Sequence, residues 1–511
     1  MTSMPLTSHF PRSTTIPARS LVARLCASRT AQFLVILALA VAFRFPAYGE
    51  WNYAIDDQYY ALVGHRLLDG DLLYVDIWDR KGPALYLTFS LIGLISRSAI
   101  AYQLAATLVA AMGGYGVNRI ARRLAPAQWA LLSGVVYIAL LNRFEGDNAE
   151  AGVFFNTWLI AAAALIVSRL NRLRRGHIDR AVVAAFACAG IAIAYKQSAA
   201  IEGACFGLFV IVMLLRGGCK PLSVLWKAAP LALAGALPML LTGLFYLARG
   251  HFPEMWTALV ESNLARGYAD PGIRFKGQLV MIGMLGIPLV FGGIGLHRFV
   301  TEARTCGEPQ RREVLAFVCL WLAAALFGLA TFPNIYVHYA QSTLAPFAIL
   351  CAGYFIDRRS PWLGIGALIG VSLALSGTFH LKDRWRARPA AREMVDYILE
   401  QTPRRDIFVW GNPNFLYAVV GTRPPSVLAF APHMYEGREW TGIDEVAALR
   451  QVLAGRPSTV ISQFPIQAAP LNMTNVRQVE DYVRACKRQR KFTIYDHNGP
   501  QVQTVFSGCG R

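Results

Sequence analysis

Long apolar blocks, separated by short polar segments, occupy the chain up to about residue 380. Each block holds roughly 16 to 25 mostly apolar residues, close to the length that a helix needs to cross a bilayer. The pattern predicts a polytopic α-helical membrane protein with about eleven transmembrane helices. Their predicted positions are residues 31–47, 99–120, 128–142, 153–169, 181–196, 198–215, 224–248, 278–297, 314–331, 340–356 and 362–379.

Residues 83–97 break this pattern, because the segment is apolar but only about fifteen residues long. A helix of that length is short for a bilayer, so we predict that it lies in the outer interface beside a polar loop. The alternative is a true membrane span, which would reverse the orientation of every later loop.

The pattern changes after residue 380, where hydropathy falls and helical and strand-like periods alternate. We predict a small α/β domain over residues 381–511, following a transmembrane domain over residues 31–380. Cys486 and Cys509 would pair in this domain if its compartment is oxidising, and otherwise stay two free thiols. The predicted helices are residues 391–402, 443–455 and 476–492, and the predicted strands are residues 405–411, 458–464, 492–496 and 502–506.

The chain has 511 residues and a formal net charge of +19, which in a soluble protein would suggest nucleic-acid binding. Most Arg and Lys residues fall between the apolar blocks, so the charge reports orientation and no nucleic-acid partner is expected. With the N-terminus inside, the basic clusters are cytoplasmic and the C-terminal domain is extracytoplasmic. The cytoplasmic clusters are residues 119–124, 168–180, 216–220, 297–313 and 357–360, and the outer loops are residues 48–98, 143–152, 196–198, 249–277 and 332–339.

Residues 1–30 are rich in Ser, Thr, Pro and Arg and are predicted to form a disordered cytoplasmic N-terminus. Arginines precede the apolar run that begins at residue 31, which is typical of a signal peptide or of an uncleaved signal anchor. We favour the anchor, because the following loop and the other predicted spans form one unit.

The first outer loop concentrates acidic residues in a chain that is otherwise poor in them. Asp56 and Asp57 follow the first predicted span closely, and aromatic residues interleave with further aspartates up to Tyr86. A carboxylate at the membrane surface can take a proton from a hydroxyl or help to hold a divalent cation. The same composition fits an ordinary interfacial loop, and the residues alone leave both interpretations open.

Five short motifs follow one another along the chain: Asp56 to Tyr60 with Gly70 and Tyr74 to Pro83, Asn148-Ala149-Glu150, Tyr195-Lys196-Gln197, Val337-His338-Tyr339 and Asp406 to Gly411. In this order they resemble the GT-C class of membrane glycosyltransferases. The resemblance is to the protein O-mannosyltransferases, the aminoarabinose transferase that modifies lipid A, and the rhizobial galacturonosyltransferases of lipopolysaccharide. The family usually shows Asp-Glu and Lys-Pro-Pro where this chain has Asp56-Asp57 and Lys81-Gly82-Pro83, and the glycine predicts a looser junction at Lys81.

This resemblance implies an enzyme that transfers a hexosyl or pentosyl group from a polyprenyl-phosphate donor at the outer face of a bacterial inner membrane. The acceptor would be a lipid, polysaccharide or protein of the cell envelope, such as lipopolysaccharide, and membrane lipids would surround the spans. Either acid of the first pair would be the catalytic base, with a divalent metal ion as an optional cofactor. The implied base is Asp56 or Asp57; the implied phosphate ligands are Lys81, Lys196, His338, Arg249, Arg266 and Arg274; and Asp79, Asp147 and Glu150 would assist the acceptor or a metal.

Other classes of membrane protein make different patterns. A multi-span transporter or flippase of a lipid-linked or envelope substrate should show ionisable or broken helices at mid-span and an internal repeat, whereas the acids here cluster at one face. An oligosaccharide polymerase or ligase usually has a large outer loop late in the chain. A purely structural protein gives no reason for the acid pair together with Lys81.

Overall fold

The computed structural model describes residues 25–306, 308–356, 360–463, 466 and 470–510. Residues 1–24 of the predicted disordered N-terminus (1–30) lie outside the described residues, whereas residues 25–27 and 29–30 are helical, contrary to the prediction. Helices of six residues or more are numbered α1 to α17, and shorter turns are named by their residues.

A helix occupies each position at which the hydrophobic pattern predicted a membrane span. Two further helices, α2 and α3, belong to the first outer loop. The helices are α1 (Arg29–Arg44), α2 (Ile55–Leu68), α3 (Pro83–Ile95), α4 (Ala99–Ala121), α5 (Ala127–Arg143), α6 (Ala151–Ser168), α7 (Arg180–Tyr195), α8 (Ala200–Arg216), α9 (Pro221–Ala248), α10 (Pro271–Cys306), α11 (Pro309–Thr331), α12 (Gln341–Cys351) and α13 (Trp362–Ala374).

Length and composition divide these helices into two groups. Among the described residues, seven segments are long and apolar enough to cross a membrane, and they contain α1, α4, α6, α8, α9, α10 and α11. Helices α7 and α13 are apolar but shorter. The fold is thus that of a polytopic helical membrane protein, as predicted, and the number of eleven spans stays a prediction.

Helix α3 covers most of the short apolar segment that broke the pattern. Its 13 residues extend about 20 Å, less than the hydrocarbon thickness of a bilayer. Tyr86 and Phe89 are buried against α2, while Leu91 and Ile95 are exposed on the opposite side. This amphipathic arrangement fits a helix that lies along the interface.

The C-terminal part is an α/β domain with a four-stranded mixed sheet. The strand order is β1-β2-β4-β3; β1 pairs with β2 in parallel, and the other neighbours are antiparallel. Cys486 and Cys509 form a disulfide in this domain. The elements are α14 (Leu381–Gln401), β1 (Ile407–Trp410), α15 (Phe415–Val420), α16 (Glu445–Ala454), β2 (Thr459–Ser462), α17 (Met473–Arg484), β3 (Arg488–Asp496) and β4 (Gly499–Ser507).

Two predicted helices in this domain have wrong boundaries: the one predicted over residues 391–402 already begins at Leu381. The helix predicted over residues 476–492 ends at Arg484, and the basic run from Arg488 belongs to strand β3. Residues 488–491 are all charged or polar and form no apolar face, so their sequence favours neither a helix nor a strand. Residues Arg488 to Asp496 pair with β4, and this pairing makes the segment a strand.

The α/β domain packs directly on the first outer loop. The Trp78 backbone N–H donates to the carbonyl of Val427 at 3.0 Å. Arg384 of α14 forms a 2.5 Å ion pair with Glu50, and both side chains are buried. The domain therefore lies on the same face of the membrane helices as the acidic loop.

Candidate active site

The acid pair lies in the first turn of α2, and the two carboxyl groups have different surroundings. No side chain caps this helix at Ala54, so the N-terminal N–H groups and the helix dipole favour negative charge there. The side chain of Asp56 is 27% exposed, whereas Asp57 is only 1% exposed. Burial raises the pKa of Asp57 well above its ordinary value, and the neighbouring Glu150 and Asp56 raise it further. Burial therefore favours the protonated form of Asp57.

Lys81 lies between two carboxylates of the first loop. Its Nζ is 3.9 Å from Asp56 Oδ1, 3.9 Å from Asp79 Oδ2 and 4.6 Å from the centre of the Tyr60 ring. Burial by itself lowers the pKa of Lys81, but the charges of Asp56 and Asp79 outweigh it, so the pKa is raised and the ammonium is retained. Asp79 also accepts hydrogen bonds from the Tyr86 hydroxyl and the Arg80 N–H, which fix its position.

Asp56, Glu150 and His338 form a compact cluster that combines three outer loops. One ligand atom of each residue lies within 4.8 Å of the others. Glu150 stands at the N-terminus of α6 and accepts a 3.3 Å hydrogen bond from the Tyr60 hydroxyl. Burial and the charge of Asp56 raise the pKa of Glu150, whereas the pKa of Asp56 is lowered because Lys81, His338 and Lys196 outweigh its burial. Asp56 is thus ionised.

Lys196 projects over two aromatic rings beside this cluster. Its Nζ lies 4.3 Å from the centre of the Tyr339 ring and 5.4 Å from that of Phe332. Burial lowers its pKa to about 8, with Glu150 acting in the opposite direction. Within the described residues no carboxylate lies in ion-pair distance of this ammonium, so its charge is available to an anion.

Arg266 completes the cationic side of the cluster through a contact with the α/β domain. Its guanidinium is 2.8 Å from Glu439 and 3.5 Å from the Tyr339 hydroxyl. Arg80 pairs with the other oxygen of Glu439. The carboxylate of Glu439 therefore joins the first loop, the loop of Arg266 and the α/β domain.

Three residues that the sequence suggested for the site have other partners. Arg249 is exposed and lies over the ring of Phe245. Arg274 lies over the ring of Tyr268 and donates to the Ala330 carbonyl at the end of α11. Asp147 accepts hydrogen bonds from Tyr53 and Thr378, in a network beneath the cluster.

The junction after Lys81 is tight, contrary to the expectation drawn from Gly82. The Gly82 N–H donates a 3.1 Å hydrogen bond to the Tyr195 carbonyl, and the Tyr74 hydroxyl donates to the Lys81 carbonyl at 2.9 Å. A Cβ at Gly82 would lie 2.1 Å from the Ala194 oxygen. Glycine is required there because two backbones meet, so it fixes Lys81 rather than loosening it.

Three residues around the cluster were not singled out by the sequence. Glu145 contacts His338, and His497 and Glu439 come from the α/β domain. Glu145 has a weak signal in the sequence, since it shares the second outer loop with Glu150. The other two lie more than 280 residues after the first loop and carry no local signal.

A cavity of about 770 Å³ lies between α7, α8 and α9. Its lining is almost wholly apolar and includes Phe186, Met239 and Leu259. The carbonyl of Leu259 accepts a 3.3 Å hydrogen bond from the side chain of Gln197, the residue after Lys196. This hydrogen bond connects the wall of the apolar cavity to the residue that follows Lys196.

No family model matches the sequence, and no curated protein matches it. Among solved structures, the chain is similar to ArnT from Cupriavidus metallidurans in the apo state, with a TM-score of 0.61 and 15% identity over 94% of this chain and 98% of ArnT. ArnT bound to undecaprenyl phosphate gives a TM-score of 0.58, at 15% identity over 93% of this chain and 98% of ArnT. The chain has the GT-C fold. This confirms the fold that the motifs predicted.

The GT-C fold extends to a more distant structure. The archaeal oligosaccharyltransferase AglB from Archaeoglobus fulgidus, in complex with an inhibitory peptide and a dolichol-phosphate, has a TM-score of 0.50. The identity is 13%, over 85% of this chain and 69% of AglB. At such identities the likeness concerns the arrangement of helices, and the chemistry has to be argued from this chain's own residues.

Proposed function

We propose that this protein is a glycosyltransferase that moves a sugar from a polyprenyl-phosphate donor to a hydroxyl of a lipid, glycan or protein acceptor. The observation that carries the proposal is the cluster itself: Asp56 is ionised under the charge of the unpaired Lys196 ammonium, and Gln197, the next residue, donates to Leu259 in the wall of an apolar cavity. A polyprenyl phosphate has the same division between an apolar chain and an anionic end.

The donor would occupy the cavity with its chain and the cluster with its phosphate. The apolar lining between α7, α8 and α9 suits isoprenoid units, because it offers almost no hydrogen-bonding groups. Lys196 is the strongest phosphate ligand, since its charge is not shared with a carboxylate. Lys81 and Arg266 would add positive charge from either side. The ArnT structure with undecaprenyl phosphate supports this assignment by analogy of fold.

Asp56 would act as the base of the transfer. The acceptor oxygen attacks the anomeric carbon, the bond from that carbon to the phosphate oxygen breaks, and Asp56 takes the acceptor proton. The departing polyprenyl phosphate keeps the electron pair and is stabilised by Lys196 and Lys81. Asp57 does not suit this role, because it is buried and its burial raises its pKa, which favours the protonated form.

The residues of the cluster also fit a divalent cation. Asp56, Glu150 and His338 would hold it, and two carboxylate oxygens with one imidazole nitrogen are a donor set that suits manganese or zinc. Such a cation would add positive charge for the departing phosphate. Addition of a chelator to the purified enzyme tests this part of the proposal separately.

The outer face of a bacterial inner membrane is the location that the chain's features support. The charge pattern predicts that the basic segments lie in loops opposite the cluster, and the disulfide between Cys486 and Cys509 suits an oxidising compartment. The chemistry of the cluster suits transfer rather than transport, because the acids lie at one face and not at mid-span.

The decisive experiment is donor turnover by purified protein in lipid nanodiscs. A panel of polyprenyl-phosphate hexoses and pentoses is supplied, and loss of each donor is followed with and without envelope acceptors. We expect one donor to be consumed by the wild type and not by Asp56→Asn. Consumption of no donor, or equal consumption by both proteins, would overturn the proposal.

A further inference from the structure

The carboxylate of Glu145 lies between two imidazole rings. Its Oε2 is 3.0 Å from His338 Nδ1, and its Oε1 is 3.5 Å from His497 Nε2. His338 belongs to the cluster with Asp56 and Glu150, while His497 lies in the turn between β3 and β4. One side chain thus connects the α/β domain to the centre of the candidate active site.

The loop that carries Glu145 is held in an unusual conformation. Glu145 has φ of 57°, in the left-handed region that residues with a side chain rarely adopt. The flanking backbone is fixed, since Gln341 donates to the Phe144 carbonyl at 2.9 Å and Arg44 donates to the Gly146 carbonyl. Strained residues kept in place by their surroundings are concentrated at functional sites.

The contact with Glu145 determines how His338 meets the cluster. Nδ1 of His338 is engaged by the carboxylate, so Nε2 is the ring nitrogen left for a proton or a ligand. The ring of Tyr336 stacks on the His338 ring with their centres 5.7 Å apart, and the ring of Tyr339 meets it edge-to-face with their centres 4.8 Å apart. These aromatic contacts restrict the orientation of the His338 ring plane, and the Glu145 carboxylate selects the tautomer and the rotation of the ring.

His497 fixes the other side of Glu145. Its backbone N–H donates to the Tyr53 carbonyl at 2.8 Å, and its Nδ1 is 3.1 Å from the same oxygen. Tyr53 precedes α2 by two residues, close to Asp56. The hairpin turn of the α/β domain is therefore anchored beside the acid pair.

We infer that Glu145 is a positioning residue that orients His338 towards Asp56 and Glu150, and that His497 of the α/β domain holds Glu145 in place. The inference rests on the proposed function, and it gives the α/β domain a part in assembling the active site. Carboxylates that orient a functional histidine in this way typically affect activity by about 10- to 100-fold.

Kinetics of Glu145→Gln test this inference. Glutamine keeps the size of the side chain but loses its charge and one of its two acceptor oxygens. We expect kcat to fall about 10- to 100-fold, while the donor KM changes less than about twofold and the melting temperature stays near that of the wild type. His497→Gln should lower kcat by less, because it leaves the contact between Glu145 and His338 intact.

The matched control is Glu254→Gln, which removes the carboxylate of an exposed pair with His251, 3.2 Å apart and outside the cluster. It should leave kcat and KM unchanged. The double variant Glu145→Gln, His338→Gln should be no slower than His338→Gln alone, because Glu145 acts through that ring. A fully additive loss would overturn the inference.

Asp56→Asn separates the two proposals. An inactive Asp56→Asn together with a wild-type kcat in Glu145→Gln would overturn the positioning role and leave the glycosyltransferase standing. Full activity in Asp56→Asn would overturn the proposed function itself.

Discussion

The backbone N–H of Gly82 donates to the carbonyl of Tyr195, and this bond joins the two lysines of the candidate active site. Lys81 precedes the glycine, and Lys196 follows the tyrosine. Lys81 and Lys196, which lie 115 positions apart in the sequence, are thereby held at a fixed separation. A donor phosphate between them would meet a preformed pair of ammonium groups.

Substitution of Gly82 by Ala should therefore weaken donor binding. The added Cβ would lie 2.1 Å from the Ala194 oxygen, so the junction has to shift. We expect a loss of roughly 1–3 kcal/mol in the free energy of unfolding, as for other overpacked positions, and a raised donor KM. Thermal unfolding and steady-state kinetics measure both effects. Gly283→Ala in α10 is the control, because its Cβ would meet no atom within 4 Å; an equally mild effect of both variants would contradict the role of Gly82.

Asp56→Asn and Asp57→Asn should separate the two members of the acid pair. Loss of a base costs about two to four orders of magnitude in rate, so Asp56→Asn should show that fall in kcat. Burial raises the pKa of Asp57 and so favours its neutral form, and Asn is a neutral side chain of similar shape, so Asp57→Asn should lose much less. Donor turnover and thermal unfolding of both variants test this. The reverse order of activities would assign the base to Asp57.

Donor capture should depend on the protonation of Lys196. Its pKa is lowered to about 8 by burial, so the side chain is charged below that pH and loses its proton above it. We expect kcat/KM for the donor to fall as the pH rises through about 8, since this parameter reports ionisations of the free enzyme. Lys196→Arg should retain its charge at high pH and lack this fall, at some cost in fit. Identical pH profiles for the two proteins would exclude Lys196 as the titrating group.

Cysteine labelling should report the orientation of the loops. Cysteines introduced at the exposed positions Ala265 and Arg450 should react with an impermeant maleimide added to the outside of intact cells. Cysteines at Asn171 and Thr301 should react only after the membrane is opened, because they lie in basic segments. Labelling of Asn171→Cys in intact cells would reverse the topology and move the cluster to the cytoplasmic face.

The sequence by itself determined the class of fold and much of the cluster. Apolar blocks of membrane length mark helices whatever their partners are, since each helix satisfies its own backbone hydrogen bonds in lipid. The charge of the connecting loops separates two faces, and Asp56, Lys81, Glu150, Lys196, Arg266 and His338 all fall on one of them. The strands of the C-terminal domain were also predictable, apart from the basic first part of β3, because their apolar runs are short and bounded by turns.

Only the tertiary structure decided which of these residues work together. Asp56 and Asp57 are adjacent and chemically alike in sequence, and only packing lowers the pKa of Asp56 while burial raises that of Asp57. The tight contact at Gly82 depends on the end of α7, and Glu145 is placed by Arg44, Gln341 and a hairpin turn about 350 residues away. Such relations arise between segments far apart in the chain, and no local pattern of residues encodes the distance between them.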